Sequence, residues 1–155
     1  MKGCFFAGSY RLTADMELER RLIAELRELI KDGVTQFYTG ARLGWDMMCA
    51  FRINMLRSEY PQLRLTAVLP CPPYEYATHW SFEDSFFLRM LLKSADEVQY
   101  ISEHLTDDCM ERCDRRLSEL SQVCVCYEDG SMSEREKAVI SSARSSGIRM
   151  INMSE

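Results

Sequence analysis

Residues 37 to 46, Phe-Tyr-Thr-Gly-Ala-Arg-Leu-Gly-Trp-Asp, join a strand-like run directly to the first turn of a helix, and this junction constrains the fold more than any other stretch. Gly40 and Gly44 bracket the turn, so the backbone can take positive φ and approach a ligand closely. The helix that opens near Leu43 or Gly44 begins with amides that have no partner inside the helix, and such amides suit a phosphate or a carboxylate. The spacing predicts a binding edge.

The same unit recurs along the chain. Gly3 to Gly8 reads as a strand, and Asp15 to Lys31 as a helix with Leu18, Leu22, Ile23, Leu26, Leu29 and Ile30 as its buried stripe. Thr13 or Asp15 suits its start and Gly33 its end. Val34 to Thr39 is the second strand. A helix over Asp46 to Ser58 carries Met47, Ala50, Phe51, Met55 and Leu56 on or near one face, Pro61 marks its exit, and Leu63 to Leu69 is the third strand. Residues 71 to 80 are expected to be one long irregular section, because Pro72 and Pro73 forbid regular structure at its start. A helix over Ser81 to Ser94 carries Phe82, Phe86, Leu88, Met90, Leu91 and Leu92. It leads to a strand over Glu97 to Ile101, a helix capped by Asp107 or Asp108 and running to Leu120, and a strand over Gln122 to Tyr127. A last helix ends near Gly147, and Ile148 to Asn152 closes the chain as the sixth strand.

Strands that alternate with helices through short glycine-bearing loops predict an α/β domain, an open parallel sheet covered on both faces. Right-handed crossovers then bring the loops at Gly8, Gly40, Pro70, Ser102 and Gly130 to one edge. A ligand is expected in the crevice where strand order reverses, outside the first strand.

Length and charge narrow the function. At 155 residues the chain suits a single domain, 1–155, that needs no disulfide or metal staple. A formal net charge of -5 argues against a nucleic-acid backbone as main partner. The start, Met1-Lys2-Gly3-Cys4, lacks the zones of a signal peptide, and no apolar run approaches bilayer length, so a cytoplasmic protein without a membrane partner is expected. The seven cysteines form no disulfide framework and read as reduced thiols. Cys109 and Cys113 are four apart on a helix and Cys124 and Cys126 two apart on a strand. With two histidines, small buried side chains account for these cysteines better than a structural zinc site.

Several side chains have both a binding and a structural reading. Arg11 and Arg42 lie in loops on the expected ligand edge, where a guanidinium holds phosphate in bidentate fashion, and each also reads as a solvated arginine. Asp46 suits ribose hydroxyls or simply the positive end of its helix. Trp80 suits stacking on a base or anchoring the core. His79 reads as a surface or structural residue rather than an acid or base, and Cys71 as a thiol at the ligand edge with no visible activating partner.

Taken together, Gly40-Ala41-Arg42-Leu43-Gly44-Trp45-Asp46, Tyr60-Pro61, Leu65-Thr66-Ala67-Val68-Leu69-Pro70-Cys71, Trp80, Ala95-Asp96-Glu97-Val98 and Cys109-Met110 resemble the bacterial YpsA-like proteins of the SLOG superfamily. That superfamily also holds the DNA-processing protein DprA and the LOG phosphoribohydrolases. The resemblance implies a Rossmann-like fold and a nucleotide-derived ligand, bound for sensing more often than for reaction. By position, Gly8 and Arg11 match a Gly-His-Arg-Pro motif that reads Gly8-Ser9-Tyr10-Arg11 here, without its histidine. Gly40, Gly44 and Asp46 match the second motif, and Ser121 a serine before the fifth strand. Cys109 and Met110 match, but the Arg-Asn pair that follows in the family is Cys113-Asp114, with Arg112 and Arg115 beside it. The Gly-Gly-Thr phosphate loop is reduced to Gly130-Ser131-Met132-Ser133, leaving the Ser131 and Ser133 hydroxyls and the helix amides as donors. LOG enzymes follow that loop with Thr-x-x-Glu, whose glutamate serves in N-glycosidic cleavage. Ser133 and Glu136 repeat the spacing, which is also that of a capping box, and Glu134 is a second acid nearby.

The expectation is therefore a domain that binds a nucleoside phosphate, ADP-ribose or an NAD derivative without a required cofactor or metal. Gly8, Ser9 and Arg11 would line one side, Gly40, Ala41, Arg42, Gly44 and Asp46 the floor, and Gly130, Ser131 and Ser133 the phosphate end, with Trp80 and Arg112 beside them. One alternative is a nucleoside-monophosphate phosphoribohydrolase, using Glu136 or Glu134 with phosphate oriented by Arg11 or Arg112. Another is a protein-interaction module whose pocket has decayed. Self-association fits any of the three.

Overall fold

Short runs of four to seven residues become strands here, the central ones apolar because both faces of the sheet they form are covered by helices. In the computed structural model, which describes residues 2–13 and 15–154, the elements in chain order are β1 (Lys2–Gly8), α1 (Met16–Lys31), β2 (Val34–Thr39), α2 (Trp45–Leu56), β3 (Arg64–Leu69), α3 (Pro73–Tyr76), α4 (Phe82–Ser94), β4 (Glu97–Tyr100), α5 (Cys109–Leu120), β5 (Val123–Tyr127), α6 (Glu134–Ser145) and β6 (Arg149–Asn152). Every pairing is parallel and the strand order is β4-β3-β2-β1-β5-β6. This is an α/β, Rossmann-like open sheet. Its order reverses between β1 and β5, so the carboxyl ends of those strands flank the switch point.

Successive side chains of β1 go to opposite layers. Cys4 and Phe6 pack with Leu22, Leu26, Trp45 and Ile53 of α1 and α2, while Phe5 and Ala7 pack with Leu117, Val139 and Ile140 of α5 and α6. α1 buries Leu18, Leu22, Leu26, Leu29 and Ile30, leaves Ile23 half-buried, and is capped by Asp15, whose Oδ1 accepts from Leu18 N–H at 2.8 Å.

Four expectations are corrected by the structure. The section from 71 to 80 contains a one-turn helix, α3, with Pro72 at its N-cap and Pro73 inside it; proline suits a first helical turn because the N–H it lacks would have no intrahelical partner there. Among the described residues there are therefore six helices rather than five, two of them between β3 and β4. On α4 only Leu88 and Leu91 are buried, and Phe82, Phe86 and Met90 face outward. That helix packs chiefly against α2, so its outer face is left to solvent, and its apolar side chains exceed what that position can bury. On α2, Met55 is likewise exposed while Cys49 and Ile53 are buried. Asp108 occupies the N-cap position of α5, but its carboxylate accepts from Thr106 Oγ1 and not from a helix amide.

Among the described residues no helix is long and apolar enough to cross a membrane.

Candidate functional site

Three loops at the carboxyl edge are tied to one another. Ser9 N–H donates to Tyr127 O at 3.3 Å and Trp45 N–H donates to Ser9 O at 3.0 Å, while Tyr10 N–H donates to Glu136 Oε1 at 2.6 Å. The loops after β1, β2 and β5 thus meet on one rim, with Trp45 beneath them. Two glycines make this approach feasible. A Cβ at Gly8 would lie 2.7 Å from the Trp45 ring, and one at Gly44, where φ is 76°, would lie 2.3 Å from Ser9 O. Trp45 itself is fully buried, donates Nε1–H to Val125 O at 3.1 Å and meets the Tyr127 ring at 5.3 Å.

The glycine turn does not present the free amides that its sequence suggests. Asp46 turns back over it: Oδ2 accepts from Gly40 N–H at 3.0 Å and Oδ1 from Thr39 Oγ1 at 2.6 Å. Ala41 N–H donates to Thr39 Oγ1 at 2.9 Å, and the Trp45 amide is taken by Ser9. The local side chains and the β1 loop satisfy these donors before any ligand does. Asp46, 2% exposed, is therefore a brace of the turn in this structure. Ala41 is held at a φ of 53°, a strained conformation for a residue with a Cβ and one that recurs at binding sites.

Arg42 is the charge at the centre of the rim. It is 8% exposed, its Nη2 donates to Asp114 Oδ1 of α5, and Asp114 Oδ2 also accepts from Arg135 Nη2 of α6 at 2.6 Å. Burial works against the Arg42 charge, but the Asp114 carboxylate more than offsets it, so the guanidinium stays protonated. Its Nε and Nη1 are buried and have no hydrogen-bond partner.

Beside Arg42 lies a cavity of about 300 Å³ at the carboxyl ends of β2 and β3, walled by Gly40, Ala41, Tyr10, Pro70, Tyr76 and Trp80. The Tyr76 and Trp80 rings meet edge to face at 6.2 Å. The sequence singled out Gly40, Ala41, Arg42 and Trp80 of this set. It missed Tyr10, Tyr76 and the partner Asp114, for which the only signal was an acid standing where the resembling family has asparagine.

The other named residues go elsewhere. Gly8, Asp46 and Glu136 surround a closed void with Tyr10 and Arg42 that is too small for a water molecule. Arg11 and Gly44 line an open groove of about 430 Å³ with Phe87. Arg112 bonds Ile101 O at 3.4 Å and reaches Asp108 at 3.7 Å. Gly130 and Ser131 are exposed, and Asp129 Oδ1 accepts from both Ser131 N–H, at 2.9 Å, and Ser131 Oγ, at 2.7 Å. This loop is closed on its own carboxylate, which repels phosphate, and Met132 turns into the core with Phe5 and Val139. Ser133 and Glu136 form the capping box of α6. Because the other Glu136 oxygen holds Tyr10 N–H, both are occupied; burial raises its pKa, but the Tyr10 and Ser133 amides overcome that and lower it. Glu134 is exposed, 3.8 Å from Lys137. His79 is exposed, and Cys71 is buried with its thiol pushed up to about 11 by that burial. Among the described residues no group of three or more His, Cys, Asp or Glu is placed to hold a metal ion.

Burial also pushes the Asp46 carboxyl up to about 6, against the Arg42 charge and the bonds from Thr39, Arg42 and Gly40. A carboxyl raised on folding binds its proton more tightly in the folded state. Its contribution to stability is thus present below the unfolded value of 3.8 and lost as pH rises through about 6. In Asp46→Asn this dependence disappears. Urea unfolding at pH 4 and at pH 7 is expected to show the difference between variant and wild type moving in the variant's favour by about 2 kcal/mol; a constant difference contradicts it.

The YpsA model, described as the YspA SLOG family, matches residues 15–142. No curated protein matches the chain.

Proposed function

From the premise that this chain belongs to the YspA SLOG family, we propose that it binds a nucleotide-derived small molecule in the cavity between the Gly40 turn and Trp80. The observation that carries this reading is Arg42: a buried, permanently charged guanidinium with two unpartnered nitrogens, set against a wall of aromatic and apolar side chains. A spare guanidinium donor favours a phosphate or carboxylate oxygen over any neutral acceptor. The faces of Tyr76, Trp80 and Tyr10 suit a planar base. The phosphate contact thus moves from the loop after β5, where family resemblance puts it, to the turn after β2.

Binding rather than hydrolysis is the favoured activity. Both oxygens of Glu136 are engaged by main-chain amides, and Glu134 points to solvent beside Lys137. Thermal unfolding with a panel of nucleoside mono- and diphosphates, ADP-ribose and NAD tests the reading. A ligand present at about 100 times its dissociation constant stabilises by about 2.7 kcal/mol, and Trp80→Ala is expected to weaken that stabilisation. Absence of any shift across the panel overturns the proposal; free base released from a monophosphate, and lost in Glu136→Ala, replaces it with the hydrolytic alternative.

A further inference from the structure

Tyr10 is the side chain at which three separate spaces converge. It walls the cavity that holds Arg42 and Trp80, the closed void beside Gly8, Asp46 and Glu136, and the open groove beside Arg11 and Phe87. Its backbone is pinned, since its own N–H is held by Glu136 and Ser9 before it is tied to both Tyr127 and Trp45. Tyr10 thus stands where the three spaces meet, on a backbone held from both sides, so a change of its side chain can be made without releasing the loop.

We propose that Tyr10 sets the length of ligand that this edge admits, confining it to one base, one sugar and one phosphate, and excluding ligands of the ADP-ribose or NAD type. The inference rests on the nucleotide-binding reading above and goes further than it, because that reading leaves ligand size open. Three observations carry it. The cavity, at about 300 Å³, stands at the lower end of the roughly 300–1,000 Å³ range of small-molecule sites, the scale of a nucleoside monophosphate rather than of a ligand with a second sugar and phosphate. Arg42 walls both the cavity and the closed void, so this buried guanidinium stands at the partition, and a terminal phosphate would reach its two unpartnered nitrogens there. Beyond the partition, a second phosphate would approach Glu136 and the loop that Asp129 closes, and both carry negative charge. With the ring gone, cavity, void and groove become one cleft running from Trp80 past Arg42 to Arg11.

Isothermal titration of wild type, Tyr10→Ala and Tyr10→Phe with the four common nucleoside 5′-monophosphates, ADP-ribose and NAD tests this. Wild type and Tyr10→Phe are expected to bind at least one monophosphate about tenfold or more tighter than either larger ligand, a difference of about 1.4 kcal/mol. Tyr10→Ala is expected to gain about tenfold for ADP-ribose while its affinity for the monophosphate changes less than about threefold. ADP-ribose or NAD binding as tightly as a monophosphate in wild type overturns the size limit and leaves the binding reading standing. An unchanged preference in Tyr10→Ala overturns the role of the ring. Where Tyr10→Ala does not fold, Tyr10→Leu replaces it, and the wild-type preference alone still decides the size limit. No binding of any probe to wild type overturns both inferences together.

Discussion

Asp114→Ala is expected to destabilise the protein by about 3–5 kcal/mol, the effect of removing one partner from a buried ion pair. Asp114 is 4% exposed and is the carboxylate shared by Arg42 and Arg135. Its loss leaves the Arg42 guanidinium, already short of two partners, as a buried charge without its paired carboxylate. Urea unfolding should show a lower midpoint with an unchanged slope, meaning a less stable but equally compact fold. Asp114→Asn retains an acceptor for one arginine and should lose less. Replacing the pair together, as Arg42→Met with Asp114→Leu, should recover most of the loss, because the larger part of it is the penalty of an unpaired charge. A loss below about 1 kcal/mol in Asp114→Ala would mean that Arg42 finds water or another acceptor, and the anion-binding argument would weaken with it.

Trp45→Ala is the second large effect, again about 3–5 kcal/mol, through the cavity left by a fully buried indole. The indole, carried by the helix after β2, ties the rim to the ends of β1 and β5: Gly8 lies on it, Tyr127 packs against it and Val125 O accepts its N–H. Trp45→Phe separates the two contributions. It preserves most of the buried area and leaves the Val125 carbonyl without that donor, so a loss of about 1–3 kcal/mol is expected. If ligand binding survives in Trp45→Phe but not in Trp45→Ala, the ring acts by holding the rim in place.

How much of this could be read from the sequence depends on the distance over which the relevant physics acts. Strand and helix order followed from local periodicity, and the parallel sheet from the alternation itself, so both agree with the structure. The capping box at Ser133 and Glu136 was equally local. α3 was missed because proline was treated as a breaker, when its position in the first turn makes it compatible with a helix. The outward face of α4 was misassigned because periodicity identifies an apolar stripe without saying whether anything packs on it. The site shows the same divide. Gly40, Ala41, Arg42 and Trp80, named from the sequence, line one cavity, but the amides of the glycine turn are not free, since Thr39 and Asp46 fold back over them. Asp114 lies 72 residues from Arg42, and no spacing rule connects the two.

The seven cysteines are all free and all buried, and burial pushes the thiols of Cys4, Cys49 and Cys124 upward, that of Cys4 to about 12. Alkylating reagents attack thiolate, a form that these groups reach only once water does. Labelling of the native chain would therefore time its breathing motions. Cys71, next to Pro70 in the cavity wall, would report openings of the ligand space, while Cys4 and Cys124 on neighbouring central strands would wait for the sheet to come apart.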